Sequence, residues 1–288
     1  MDIGPFVQAI EEQGLNVRAV VVWRGGEKAA EHHWTPEQPE HVYSVSKSFT
    51  SVAIGMAIAD GALSLRDRAL ERFPGLIKNP DERLLKLNLE HLLTMTRGYG
   101  EFSRPASVAE ALVQELSFEP GSRFVYDNGS TLLASAMFTQ AVGKTVRDFL
   151  AERLFEPLGI PAPEWEKSAD GYTLGATGLR ATVSQLALFG QLLLQKGNWQ
   201  GKQLVPASWI DAAGRPQVST GDSQNADYDL GYGYGFWPCR HGAYRADGKN
   251  GQFIVVFPRQ GAVTAIGSDE ENMRPILYAV WEQILPRL

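Results

Sequence analysis

The chain has 288 residues, 44% of them hydrophobic and 21% charged, with a formal net charge of −6. That is a globular composition, large enough for one big core or two closely packed lobes, and unlike a fibrous or disordered chain. The acidic balance and the lack of any long Lys/Arg run argue against a nucleic-acid partner. The single Cys239 excludes an intrachain disulfide or a paired-cysteine redox motif, and reads as a buried bystander thiol.

Met1 to Phe6 show no basic segment backed by an apolar run, and Ala19 to Trp23 is too short to span a bilayer. The expectation is a soluble, cytoplasmic chain with no membrane partner, although a chain trimmed of an export leader would read the same. Pro5–Gln13 reads as a short amphipathic helix closed by Gly14. Val17–Trp23 and Lys28–Trp34, joined across Gly25-Gly26, read as two strands with a tight turn.

From Tyr43 to Gly61 the sequence is apolar on nearly every face, which predicts a central buried helix starting near Ser44 and stopping at Gly61. A glycine inside it, Gly55, implies a close neighbour on that side. Between Leu65 and about Ile210, helical stretches alternate with Pro- and Gly-containing loops: Leu87–Met95, Ser107–Leu116, Ser130–Val142, Val146–Phe155 and Thr182–Gln195.

Strand character returns at Gly231–Trp237, Ala243–Ala246, Gln252–Phe257 and Ala262–Ser268, before a last helix over Asn272–Leu285. Strands at both ends with helices between predict an α/β plus all-α fold, with one sheet flanked by helices. The sheet lobe takes residues 1–64 and 215–288, the inserted helical lobe takes 65–214, and a ligand cleft lies between them. Asp222–Asp229 reads as a mobile acidic loop.

Ser44 and Lys47 carry the candidate chemistry. A serine hydroxyl is a weak nucleophile at neutral pH and needs a base beside it. In a helical first turn, Lys47 at i+3 shares a face with Ser44. The free N–H groups there favour an oxyanion, and burial beside Val45 and Phe49 disfavours the lysine ammonium. A Ser-x-x-Lys spacing alone also fits a helix cap followed by a solvated lysine. The apolar helix around Lys47 tips the balance, because burying an unused lysine is costly. Downstream, Phe124-Val125-Tyr126-Asp127-Asn128-Gly129-Ser130 delivers Tyr126 and Asn128 to a helix entrance. Tyr126 is placed to relay a proton, and Asn128 to hold Lys47 or a substrate carbonyl. The same residues also fit an ordinary Asx turn.

These residues resemble the class C β-lactamase-like serine hydrolases, a family that includes penicillin-binding-protein-like peptidases, esterases and amide hydrolases. Ser44-Val45-Ser46-Lys47-Ser48-Phe49-Thr50-Ser51 resembles its first motif and Tyr126-Asp127-Asn128 its second, Tyr-x-Asn. His91-Leu92-Leu93-Thr94-Met95-Thr96-Arg97-Gly98 follows a family stretch with Arg97 where Ser is usual. Gly178 to Ala187 follows another with Gln185 where Asp is usual. The resemblance runs from about Ala19 to Leu285. It implies a β-lactamase/transpeptidase-like antiparallel sheet flanked by helices, an acyl-enzyme on Ser44, and proton transfer through Lys47 and Tyr126.

The family's third motif, Lys/His-Thr/Ser-Gly, is best matched by Ala246-Asp247-Gly248, followed by Lys249 and the Gly251-Gln252 pair. The resemblance implies that Gly248 lets the backbone approach substrate and that the N–H of Lys249 joins that of Ser44 as oxyanion donor. Ala246 leaves a substrate carboxylate without its usual partner, which argues against efficient β-lactam hydrolysis and toward a neutral ester or amide. Lys249, Arg245, His241 and Arg240 are the candidate replacements. Tyr99, Phe102, Tyr232, Tyr234, Phe236 and Trp237 are candidate cleft aromatics, with Tyr99 first among them.

No His-x-x-x-His helix marks a metal site, and Gly231 to Gly235 lacks the loop-to-helix setting of a phosphate cradle. No metal or other cofactor is expected. The expected partner is a small ester, amide or peptide-like substrate, and the sequence leaves the oligomeric state open. The rival readings are β-lactamase or D-amino-acid peptidase activity through the same residues, and a catalytically silent binding or sensor protein on the same fold.

Overall fold

The computed structural model describes residues 1–222 and 225–288. Helix α1 (Gly4–Glu12) leads into strands β1 (Val17–Arg24) and β2 (Glu27–His33), and helix α2 (Ser46–Ala59) follows. Two long helices stand in the middle of the chain, α3 (Asn128–Val142) and α4 (Val183–Leu194). Strands β3 (Trp237–Pro238), β4 (Tyr244–Gly248), β5 (Gln252–Phe257) and β6 (Ala262–Ser268) precede the closing helix α5 (Arg274–Ala279). These six strands form an antiparallel sheet in the order β2-β1-β6-β5-β4-β3, in which Val17 stands opposite Ser268.

Both faces of the sheet are covered. Val20, Val22, Phe253 and Val255 meet Phe6 and Ile10 of α1 and the C-terminal helix on one side. Ala19, Val21, Ile254 and Val256 join Phe49 and Val52 of α2 on the other. Strands β5 and β6 are therefore buried at every position and read as mainly apolar runs, interrupted only by Gln252, Thr264 and Ser268. The edge strand β2 exposes Glu27, Lys28 and Glu31, charges that discourage another strand from pairing there.

Helix α2 is buried from Ser46 through Met56 and Ala57, as its all-round apolar sequence requires. Phe49 stacks on Phe189 of α4 at 3.8 Å between ring centroids. The indole of Trp209 is the neighbour that Gly55 accommodates. Helix α3 opens on Asp127, whose side chain accepts from the N–H groups of Gly129 and Ser130, and closes on Gly143 at φ 75°.

Several expectations change. Helix α4, assigned by sequence to the helical lobe, lies on the sheet: a Cβ at Gly190 would fall 2.4 Å from Val263 and 2.7 Å from Ile254. A single apolar cluster joins sheet residues such as Ile254 to Leu92 and Leu133 of the helical region. Gly231–Trp237 is no strand beyond Trp237, because Gly231 and Gly235 take left-handed φ of 95° and 78° and turn the chain. Short helices at Glu82–Lys86 and Ala207–Ala213 were not anticipated. Among the described residues, no helix is long and apolar enough to cross a membrane.

The segment read as a mobile acidic loop includes Ser223 and Gln224, which lie outside the described residues. Of the others, Asp227 is buried and paired with Arg240 at 2.9 and 3.0 Å, and the Tyr228 hydroxyl donates to Asp247 at 2.9 Å. Asp227 and Tyr228 are thus anchored.

Candidate active site

Tyr43 to Val45 form a single 3-10 turn ahead of α2, so Ser44 sits just outside the α-helix and not in its first turn. Tyr43 takes φ 47°, a left-handed conformation uncommon for a residue with a side chain. Three bonds hold this turn. Val42 N–H donates to Leu179 O at 3.0 Å, Val45 N–H donates to Val42 O at 3.1 Å, and the Ser46 hydroxyl donates to Tyr43 O at 2.6 Å.

Two small polar residues of α2, Ser48 and Thr50, tie the helix to neighbouring loops. The Ser48 hydroxyl donates to Gly235 O at 2.6 Å and the Thr50 hydroxyl to Gly175 O at 3.0 Å. Each secures a loop bordering the Ser44 turn, and each is a buried polar group with its hydrogen bond made.

Lys47 is 2% exposed. Its Nζ lies 3.2 Å from Ser44 Oγ, donates to Asn128 Oδ1 at 2.6 Å and to Ala176 O at 3.1 Å, and stands 4.8 Å from the centre of the Tyr126 ring. Burial pulls its pKa down to about 7, against a smaller opposing pull from the Asp127 carboxylate; Arg104 adds to the lowering. The Tyr126 phenol is pushed well above its ordinary range by burial. A side-chain hydrogen bond from Ser44 opposes that shift, and the negative charge of Asp247 adds to it. Of the two groups beside Ser44, the lysine is the one able to be an unprotonated base near neutral pH.

A cavity of about 650 Å³ opens over this group. Of the residues singled out by sequence, it is lined by Ser44, Tyr126, Asn128, Lys249, Phe102 and Trp237. Gly248 lies against the Ser44 turn, where a Cβ would meet Val42 O at 2.4 Å. Tyr99 does not reach the cavity wall and packs under the Arg97 guanidinium, 4.6 Å from its ring centre. Tyr232, Tyr234 and Phe236 are buried away from the wall.

Ala246 is also corrected: it is 1% exposed and belongs to the core on the α2 side of the sheet. Alternation along β4 turns Asp247 the other way, and Asp247 lines the cavity. Asp247 Oδ2 accepts from Tyr228 and, at 2.8 Å, from Nε of the fully buried Arg245. Arg245 also donates to Asp227 O at 2.9 Å and to Cys239 Sγ at 3.2 Å, which accounts for the buried thiol. Of the four cations proposed to replace a substrate-reading side chain, Lys249 alone lines the cavity; Arg245 and Arg240 serve Asp247 and Asp227. Arg104 and His41 line it as well, and sequence reading missed both together with Tyr228 and Asp247. Asp247 was the findable one, adjoining Gly248 in a motif already aligned. Among the described residues no group of three or more His, Cys, Asp or Glu gathers as a metal site.

The sequence matches the beta-lactamase family over residues 6–275. The chain belongs to that family. It is 31% identical over 169 residues to a D-aminopeptidase of Brucella anthropi, a match covering 50% of this chain and 32% of that protein. It is 26% identical over 243 residues to a β-lactamase of Escherichia coli K12, covering 69% and 64% respectively. The chain therefore spans under two thirds of both curated relatives. A solved penicillin-binding protein homologue from Caulobacter crescentus superposes with a TM-score of 0.79 at 16% identity over 99% of this chain and 97% of the other, which is a likeness of fold.

Proposed function

We propose that this beta-lactamase family member is a serine hydrolase that cleaves small esters or amides through an acyl-enzyme on Ser44. The observation that carries the reading is a buried lysine, held near pKa 7, with its amine 3.2 Å from the Ser44 hydroxyl. Neutral Lys47 takes the Ser44 proton as Oγ attacks the substrate carbonyl. The N–H groups of Ser44 and Lys249 receive the oxyanion. Tyr126, kept protonated by burial and by Asp247, passes a proton to the departing alcohol or amine while Lys47 replenishes it. Water, deprotonated by the same pair, then attacks the acyl-enzyme and Ser44 leaves with its proton restored.

The cleft supports a substrate without an essential carboxylate. The third-motif strand offers the cavity Asp247 and no cation, and Ala246 is turned into the core. A peptidase acting on amino-terminal substrates is a more specific version of the same reading, supported by the similarity to the D-aminopeptidase.

Intact-mass spectrometry with a fluorophosphonate, paired with turnover of p-nitrophenyl acetate, tests the assignment. A single adduct on Ser44, and loss of turnover in Ser44→Ala, are expected. An unlabelled protein without turnover would indicate the silent binding protein, and full turnover in Ser44→Ala would defeat the assignment of Ser44 as nucleophile.

A further inference from the structure

Arg97 and Asp127 lie behind the cavity wall, and both are buried. Arg97 Nε donates to Asp127 Oδ2 at 2.6 Å, and its other nitrogens donate to Ala111 O at 2.8 Å, Ser103 Oγ at 3.2 Å and Gln114 Oε1 at 2.5 Å. Asp127 also accepts from the N–H groups of Gly129 at 3.1 Å, Ser130 at 2.8 Å and Ser103 at 3.2 Å, and from both serine hydroxyls. The guanidinium fits so closely beneath α3 that a Cβ on Gly129 would stand 2.9 Å from Nη2.

Asp127 is the middle residue of Tyr126-Asp127-Asn128. Its neighbours are the two side chains that meet Ser44 and Lys47. With Asp127 fixed by a fork of charge-assisted bonds, the backbone on either side has little freedom to swing Tyr126 or Asn128 out of place. Arg97 stands where the resembling family usually has Ser, and a serine is too short to reach all of Asp127, Ala111 and Gln114.

We propose that Arg97 and Asp127 act as one positioning unit for the active site, orienting Tyr126 and Asn128 on Ser44 and Lys47, and are more than a brace for the start of α3. The proposal rests on the hydrolase reading above. It carries an electrostatic consequence. The groups around the Lys47 amine are Asp127, whose charge favours the ammonium, Arg104, which opposes it, and the neutral Ser44, Tyr126, Asn128 side chain and Ala176 carbonyl. Arg97, in contact with Asp127, offsets part of the negative charge. The two members of the pair therefore push the working pH of Lys47 in opposite directions.

The experiment follows kcat/KM for p-nitrophenyl acetate against pH, in wild type, Asp127→Asn, Arg97→Gln and Arg97→Lys. Fluorophosphonate labelling of Ser44 in the wild type is established first, so that failure of the hydrolase reading shows there and not in the variants. The acid limb is expected to move down by about half to one pH unit in Asp127→Asn and up by a similar amount in Arg97→Gln. Plateau kcat is expected to fall roughly 10- to 100-fold in both, with KM changed far less. Arg97→Lys, which keeps the charge, restores the wild-type limb. If Arg97→Gln does not fold, the Asp127→Asn limb against wild type and the Arg97→Lys rescue decide. Limbs that stay in place, or activity losses that only follow each variant's melting temperature, would overturn the proposal.

Discussion

Gly55 lies against the face of Trp209 so closely that a Cβ at position 55 would fall 2.3 Å from two ring atoms. The indole is itself stacked on Tyr234 at 5.2 Å between centroids, so it has no free direction in which to retreat. Gly55→Ala is expected to destabilise the protein by about 1–3 kcal/mol through overpacking, even though alanine is the better helix former. Chemical denaturation of the two proteins measures this. Equal or higher stability in the alanine variant would mean that Trp209 is loosely held.

A second expectation concerns pH. With Lys47 near pKa 7, the fraction of neutral amine rises with pH through that value. The kcat/KM for a neutral ester should climb about tenfold per unit below pH 7 and level off above it. Lys47→Met removes the base and should lower kcat roughly 10²–10⁴-fold while removing this limb from the residual activity. A limb that persists in Lys47→Met would assign the titration to another group.

Substrate charge gives a third. A β-lactam carboxylate entering this cleft meets Asp247 on the third-motif strand, with Lys249 and Arg104 elsewhere on the wall. Benzylpenicillin is expected to inhibit ester turnover no better than its methyl ester does. A preference of about tenfold or more for the free acid, the size of one charge-assisted hydrogen bond, would show that Lys249 or Arg104 reads the carboxylate.

The fourth is a stability test. Asp247 accepts from a guanidinium that is wholly out of water. Asp247→Ala leaves Arg245 short of its counter-charge and should cost about 3–5 kcal/mol, measured by urea titration. A loss under 1 kcal/mol would mean that Asp227 O and Cys239 Sγ alone satisfy the guanidinium.

The elements most legible in the sequence were those whose pattern needs no partner to interpret. Helix α2 announced itself by being apolar on every face, and Gly55 announced a neighbour without naming Trp209. The Ser44 and Lys47 spacing could be read because a 3-10 turn, like an α-helical one, brings residues three apart onto one side. Ala246 failed for a definite reason: it was chosen by motif order alone, although Arg245 and Asp247 alternate with Tyr244 and Ala246 along β4 and so put Ala246 on the face opposite Asp247. Gly231 to Phe236 misled in the opposite way, since glycine and aromatic residues alternate there like a strand while two glycines turn the chain. Arg97 was visible only as a departure from a family pattern. Its partner lies thirty residues away, and no local rule connects them.

The pairing of β1 with β6 bears on how activity arises as the chain is made. Val17 cannot find its place until Ser268 exists, and the Ser48 and Thr50 hydroxyls must wait for the carbonyls of Gly235 and Gly175. A nascent chain halted before β4 carries Ser44, Lys47, Tyr126 and Asn128 but not the strand that Gly248 brings against the Ser44 turn. Contacts so distant in sequence form late and slowly. The hydrolysis proposed above is therefore expected to switch on once β6 has been made rather than to grow with chain length.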